Sequence, residues 1–174
     1  TGHLLERFGS RLTLGEGIDQ SREMLAVARS NLEAASLPHC QVRQGDLYQL
    51  PNPADTFDLA VIHQVLHFVD DQSLAIHEAA RVLKPGGQLV VVDFASHDLE
   101  HLRANDSHRR LGFADAEADA WFAGAGLTAK STIKLVGSPL TVCIWVAEKQ
   151  TVVDQTIATP QLNETHLQSA NGIS

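Results

Sequence analysis

The sequence is short of cysteine, of basic charge and of long apolar runs, and each shortage removes a class of protein. Only two cysteines occur among 174 residues. Cys40 and Cys143 lie far apart in apolar, strand-like contexts with no Cys-x-x-Cys spacing. We expect buried, reduced packing residues there, not a disulfide or a ligand pair. Lys and Arg number 13 against 21 Asp and Glu, a formal net charge of −8. That balance argues against a surface that tracks phosphates, so no nucleic acid is expected to bind through this chain. The longest apolar runs, such as residues 89–92, are far too short to span a bilayer, and the start carries no signal-peptide pattern. A cytoplasmic protein is the default expectation.

What is present is ordinary globular material, 44% hydrophobic and 20% charged, enough for one domain with a sizeable core. Its organising stretch is Phe57-Asp-Leu-Ala-Val-Ile-His-Gln64 with its sequel Val82-Leu-Lys-Pro-Gly-Gly-Gln-Leu-Val-Val-Val-Asp93. The first part reads as a buried strand with a polar tip, His63 and Gln64. The second reads as a helix end, a Pro-Gly-Gly reversal and a fully buried strand closed by Asp93. Strand, tip, helix, strand, tip is the pattern of an open α/β sheet, which binds its ligands at the carboxyl ends of its strands.

In chain order, Leu4, Leu5 and Phe8 have helical spacing behind Gly2, and no strand precedes them. A glycine-led helix in a doubly wound fold should follow a first, central strand. We therefore expect the sequence to be a fragment lacking that strand. Residues 12–18 read as a strand ending at Asp19. Ser21 should cap a helix to Ala35 with Met24, Leu25, Ala28, Leu32 and Ala35 on one face. An acid at a strand tip such as Asp19 suits ribose hydroxyls, although it could also merely open the Ser21 cap. Residues 40–44 read as a third strand with Gly45-Asp46-Leu47 as its tip: Asp46 can accept from an exocyclic amine, and Leu47 offers an apolar face to a purine.

Asp70 or Asp71 should cap a helix to about Leu83, its apolar face carried by Ala75, Ala79 and Val82. Residues 96–112 form a dense polar stretch, and Ala118, Trp121, Phe122 and Ala125 give a helical face ending at Gly126. Residues 130–135 and 140–147 should be strands, made antiparallel by the short Gly137-Ser-Pro139 connection. Residues 150–174 contain no Lys, Arg or aromatic residue and are expected to be a mobile tail behind a domain over residues 1–149.

The order Gly17-Ile-Asp-Gln-Ser-Arg-Glu-Met-Leu25, Gln44-Gly-Asp-Leu47, Phe57 to His67 and Val82 to Leu89, closed by the hairpin, resembles the class I S-adenosylmethionine-dependent methyltransferases, of the type 11 kind. The resemblance implies a doubly wound, mostly parallel Rossmann-like α/β sheet with a C-terminal antiparallel hairpin, its first strand missing here. It also implies S-adenosyl-L-methionine as cofactor and a small-molecule methyl acceptor. By the same resemblance Asp19 holds the ribose, Gln20 and Met24 line the adenosine, and Asp46 meets the adenine amine beside Leu47. His63 and Gln64 would border the methionine portion and the acceptor, and Gly2 is similar to the last glycine of the family's glycine-rich loop. Residues 93–103 and 107–113 are similar to methyltransferase domains fused behind arsenic-sensor-type winged-helix repressors. That similarity implies an upstream DNA-binding domain, although two distant cysteines do not suit arsenic itself as substrate.

Methyl transfer from a sulfonium is an in-line displacement with an already activated donor, so alignment can supply most of the catalysis. A general base is needed only where the acceptor's acidity demands it. His63, His67, His97 and His101 are the candidates. His97 and His101, four apart, could share a helix face as metal ligands, but no His-Glu-x-x-His or Cys-x-x-Cys accompanies them and no metal is expected. Two other readings stand beside this one. A nicotinamide oxidoreductase would also use Asp19, but Tyr48 is followed by Asn52 where a proton relay would have lysine. A sensing domain of a transcriptional regulator would bind the cofactor or a metabolite without turnover.

Overall fold

Backbone punctuation sets most of the element boundaries. The structure, a computed structural model, describes residues 2–151; the rest of the expected tail lies outside the described residues. Helix α1 (His3–Phe8) and a 3-10 turn (Gly9–Arg11) lead into strand β1 (Gly15–Asp19). The strand starts later than the apolar run at residue 12 implied, because the Leu12 N–H still closes the turn on the Gly9 carbonyl. Helix α2 (Arg22–Ala34) opens where expected, with Ser21 Oγ accepting the Met24 N–H at 3.1 Å. Leu25, Ala28 and Leu32 form its buried face. Met24 and Ala35 do not share it: Met24 is 41% exposed, about 100° around the helix from Leu25, and Ala35 is the exposed residue that ends the helix.

Strand β2 (Cys40–Gln44) pairs parallel with β1. Strand β3 (Phe57–His63) is followed by a 3-10 turn (Leu66–Phe68) and helix α3 (Gln72–Val82), capped by Asp71, whose carboxylate accepts the Leu74 N–H. Strand β4 (Leu83–Phe94) follows directly. The helix ends at Val82 as the Pro-Gly-Gly signal required, but residues 84–87 are a bulge inside β4 and not a free reversal. The β3–β4 ladder runs Phe57 to Leu83 and then Leu59 to Gln88, since Pro85 has no N–H to give it. Short helix α4 (His101–Asn105), helix α5 (Asp115–Gly124) and strands β5 (Leu127–Leu135) and β6 (Val142–Lys149) complete the order.

Among the described residues the strands form two sheets, β1-β2 and β3-β4-β6-β5. In the larger one β3 and β4 are parallel, and β6 runs antiparallel to both β4 and β5, the expected closing hairpin. Strand β4 is not buried on both faces as its composition implied. Leu89, Val91 and Asp93 are buried while Val90, Val92 and Phe94 are half-buried. Helices α3 and α5 pack with the first face around Ile76, Ala79, Phe122 and Trp145. Both cysteines are free and buried, and burial pushes each thiol's pKa up. Edge strand β5 keeps only Leu127 inside and carries Lys130 and Lys134 outside, which discourages pairing with another chain.

The loop between β2 and β3 ties the two sheets together. Asn52 Nδ2 donates to Glu16 of β1 at 3.2 Å, and Glu78 of α3 accepts the Leu50 N–H at 2.6 Å and the Arg81 guanidinium at 2.8 Å. The hydrogen bond from Arg81 holds the Glu78 carboxyl below the usual range. Its contribution to stability is therefore fully present above the ordinary glutamate value of about 4.3 and is lost as pH falls through the lower, folded value. Glu78→Gln should flatten that part of the acid-unfolding profile measured by circular dichroism. Phe122, 1% exposed, anchors α5, so Phe122→Ala should cost about 3–5 kcal/mol in urea unfolding. Ile133→Ala on the exposed edge should stay within about 0.5 kcal/mol.

Candidate active site

The carboxyl ends of the neighbouring strands β1 and β2 each lead to a carboxylate. Asp19 ends β1 half-buried, and its Oδ1 accepts the Ser21 N–H at 2.8 Å. It thus opens the α2 cap and still keeps Oδ2 free of hydrogen bonds. Asp19 is the ladder partner of Gln44, so Asp46 stands two residues past the neighbouring tip. There its Oδ1 accepts the Tyr48 N–H at 2.9 Å and the other oxygen is unengaged. Leu47 is half-buried against the core, while Gln20 and Met24 are exposed at the start of α2. Gly2 begins α1 at a φ of +73°, and a Cβ on it would lie 3.1 Å from the Ala28 Cβ. Only glycine fits a left-handed residue so close to α2.

At the β3 tip His63 is exposed and pairs with Val92 of β4. Gln64 follows in a left-handed conformation, φ +48°, its N–H donated to the Val92 carbonyl at 2.7 Å. A non-glycine residue held there stores strain of order 1–3 kcal/mol, a feature that collects at functional sites.

The four candidate histidines separate sharply. His63 and His101 are exposed. His67 is 2% exposed, and its Nδ1 lies 2.7 Å from Oδ1 of Asp93, which has no exposure at all. Asp93 also accepts the Phe94 N–H at 2.8 Å on Oδ1 and the Leu66 N–H at 3.1 Å on Oδ2. The His108 ring lies 4.2 Å from the His67 ring, with Phe68 at 4.0 Å and Phe94 at 5.1 Å. His97 sets its edge against Phe94 and accepts the Leu99 N–H on Nδ1. His97 Nε2 and His108 Nδ1 are buried without a hydrogen-bond partner. Desolvation is the main cause that lowers the pKa of both rings, and the nearby His67 adds to it.

His97 and His101 do not share a helix face. Helix α4 starts at His101, because residues 96 and 97 are held extended by hydrogen bonds to the carbonyls of Phe113 and Leu111. Among the described residues no group of three or more His, Cys, Asp or Glu is placed to hold a metal ion. Residues 96–112 thus leave β4 and return to it as a lobe, closed by the Ala95–Phe113 bridge. Gly112, at φ +71°, seals that return, since a Cβ there would sit 2.1 Å from the Ala95 carbonyl oxygen.

Sequence reasoning missed Asp93 as a site residue and missed His108 altogether. The acid closing a buried strand was visible, but its partner stands 26 residues away. His108 lay within the dense polar stretch of residues 96–112, where its charged neighbours Arg109 and Arg110 gave no sign of its burial. The Tyr48 hydroxyl accepts the N–H groups of Asp70 and Asp71 at 3.1 and 2.9 Å. Both of its lone pairs are thus engaged by that turn. An open apolar groove of about 460 Å³ lies along α2 and the start of β2, lined by Leu32, Leu37, Pro38 and Val42, away from every tip residue.

The sequence profile of the family described as "Methyltransferase domain" matches residues 1–91. A demethylmenaquinone methyltransferase of Halalkalibacterium halodurans is 37% identical over 78 residues, 45% of this chain and 32% of that protein. The uncharacterized methyltransferase YcgJ of Bacillus subtilis is 33% identical over 92 residues, 53% of this chain and 36% of that one. The chain thus spans about a third of the length of these curated relatives. In fold it is similar to the crystal structure of the YcgJ protein, with a TM-score of 0.73 at 20% identity over 86% of this chain and 88% of the other. It is also similar to geranyl diphosphate methyltransferase in complex with SAM, with a TM-score of 0.74 at 13% identity over 85% and 74%. With the profile matched over more than half its length, this chain belongs to the methyltransferase domain family.

Proposed function

We propose that the chain carries out S-adenosylmethionine-dependent methyl transfer to a small-molecule acceptor. The observation that carries this reading is the pair of carboxylates at adjacent strand tips, Asp19 and Asp46, each with one oxygen already fixed by a backbone N–H and the other free. That pair of acceptors fits a ligand that donates from ribose hydroxyls at one end and from an exocyclic amine at the other. In this reading Asp19 holds the ribose, Asp46 and Leu47 take the adenine, and Gln20 and Met24 border the adenosine. Gly2 lies toward the methionine end, and His63 and Gln64 divide cofactor from acceptor. Bound there, the cofactor would supply an activated methyl group. The residues of this chain orient the two reactants and exclude water, the terms that dominate such a displacement.

The reading includes one more strand. Among the described residues β1 and β3 are each paired on one side only, and β3 exposes Leu59 at 49% and Val61 at 42%. A parallel strand between them would satisfy both edges and cover those side chains. The domain over residues 1–149 would then be a methyltransferase domain completed by that strand. For the intact protein we carry forward the implied upstream winged-helix DNA-binding domain and a cytoplasmic location. Among the described residues no helix is long and apolar enough to cross a membrane.

In calorimetry the intact protein should bind S-adenosylhomocysteine. Asp19→Ala and Asp46→Ala should each weaken that binding about 10- to 100-fold, as expected for a hydrogen bond to a charged group. Nicotinamide-dinucleotide binding in its place would contradict the reading. Binding without any methylated product over a metabolite panel would favour the sensing domain. Amides along β3 should be protected from hydrogen exchange in the intact protein, and rapid exchange there would contradict the added strand.

A further inference from the structure

The His67–Asp93 pair is more than a clasp between two elements. A carboxylate oxygen bound by a backbone N–H can only accept from an imidazole, so His67 Nδ1 carries a ring proton, and in the neutral ring it is Nε2 that holds the lone pair. That nitrogen makes no hydrogen bond. It is also absent from the sealed, unpartnered atoms, which are His97 Nε2 and His108 Nδ1, so the Nε2 edge is where the ring reaches solvent. An acid orienting Nδ1 and a free Nε2 is the arrangement of a positioned base. It stands at the β4 tip, just past the β3 tip that carries His63 and Gln64. Two buried imidazole nitrogens without partners beside it need a polar group brought by something else, since each costs about 1–3 kcal/mol unpaired.

We propose that His67, positioned by Asp93, is the general base for an acceptor that bears its methyl-accepting atom as O–H or N–H, with the 96–112 lobe closing over it through His108. The proposal rests on the methyltransferase reading. In the step the acceptor's oxygen or nitrogen forms a bond to the methyl carbon as the carbon–sulfur bond breaks. The electron pair of that bond stays on sulfur, and S-adenosylhomocysteine leaves as a neutral thioether. The acceptor's proton passes to His67 Nε2, and the imidazolium formed faces the Asp93 carboxylate. From β4 the base is faced by Asp93 and Phe94, and from its own turn by Phe68. From the lobe it meets His108 and His97, with the Arg109–Asp70 ion pair and Arg110 at the rim. Burial lowers the pKa of His97 and His108, and the lobe's guanidinium groups at this rim are paired, Arg109 with Asp70 and Arg110 with Glu117. The lobe is tied to the turn itself, because the Arg109 and Arg110 N–H groups both donate to the His67 carbonyl.

The test uses the intact protein, with phenol and aniline as probes that carry a proton to be lost and thiophenol as one already ionised. Wild type should methylate phenol and aniline. His67→Gln should lower those rates by about 100-fold or more while leaving thiophenol turnover and S-adenosylhomocysteine affinity within about twofold. Independently of turnover, the 15N spectrum of the cofactor-free protein should show His67 with Nδ1 protonated, and Asp93→Ala, which removes the acceptor, should abolish that tautomer preference. Equal losses on all three probes, no loss on any, wild-type turnover of thiophenol alone, or an Nε2-protonated His67 would overturn the proposal while S-adenosylhomocysteine binding keeps the methyltransferase reading intact. Failure to bind S-adenosylhomocysteine would overturn both.

Discussion

The buried carboxylate of Asp93 constrains more of this molecule than any other group. With no exposure, it is tolerable only if its oxygens are occupied, because an unpaired buried charge costs several kcal/mol. Its three donors come from separate places: the Leu66 and His67 turn after β3, and the Phe94 amide at the end of β4. One side chain therefore fixes the turn after β3 against the β4 tip. Gln64, caught between, is held left-handed on the Val92 carbonyl. The His67 carbonyl then anchors the Arg109 and Arg110 amides, so the lobe over the site hangs from the same point.

Away from that point the architecture follows from edges and loops. The β1–β2 unit carries Asp19 and Asp46, and the larger sheet carries His63 and Asp93. Their connection runs through Glu16, Asn52, Leu50 and Glu78. The tips that share one proposed ligand thus sit on two sheets joined mainly through polar contacts of a loop. That makes the edges of β1 and β3 the most consequential unpaired surfaces among the described residues.

Much of this was legible in the sequence because it rests on local rules. Ser21 and Asp71 cap their helices, Pro85 ends α3, the Gly137-Ser-Pro139 connection makes an antiparallel pair, Asp19 ends its strand and Asp46 stands just past the next. What was not legible depended on contacts distant in sequence. Composition could not show that β4 buries only one face, since that depends on which helices reach it. The spacing of His97 and His101 was helical, but pairing of residues 96 and 97 with 111–113 keeps the chain extended there. His108 looked like surface because its neighbours are charged, and only the return of the lobe to β4 brings it onto His67. Choosing among four histidines needed the position of Asp93, which no local pattern supplies.

The central claim is that ligands gather at the strand tips of this chain and not in its apolar groove. Chemical-shift mapping of S-adenosylhomocysteine on the intact, isotope-labelled protein tests it most directly. The largest shifts should fall at Asp19, Gln20, Asp46, Leu47, His63 and Gln64. Shifts centred on Arg29, Glu33, Leu37 and Gln41, along the groove beside α2, would contradict it.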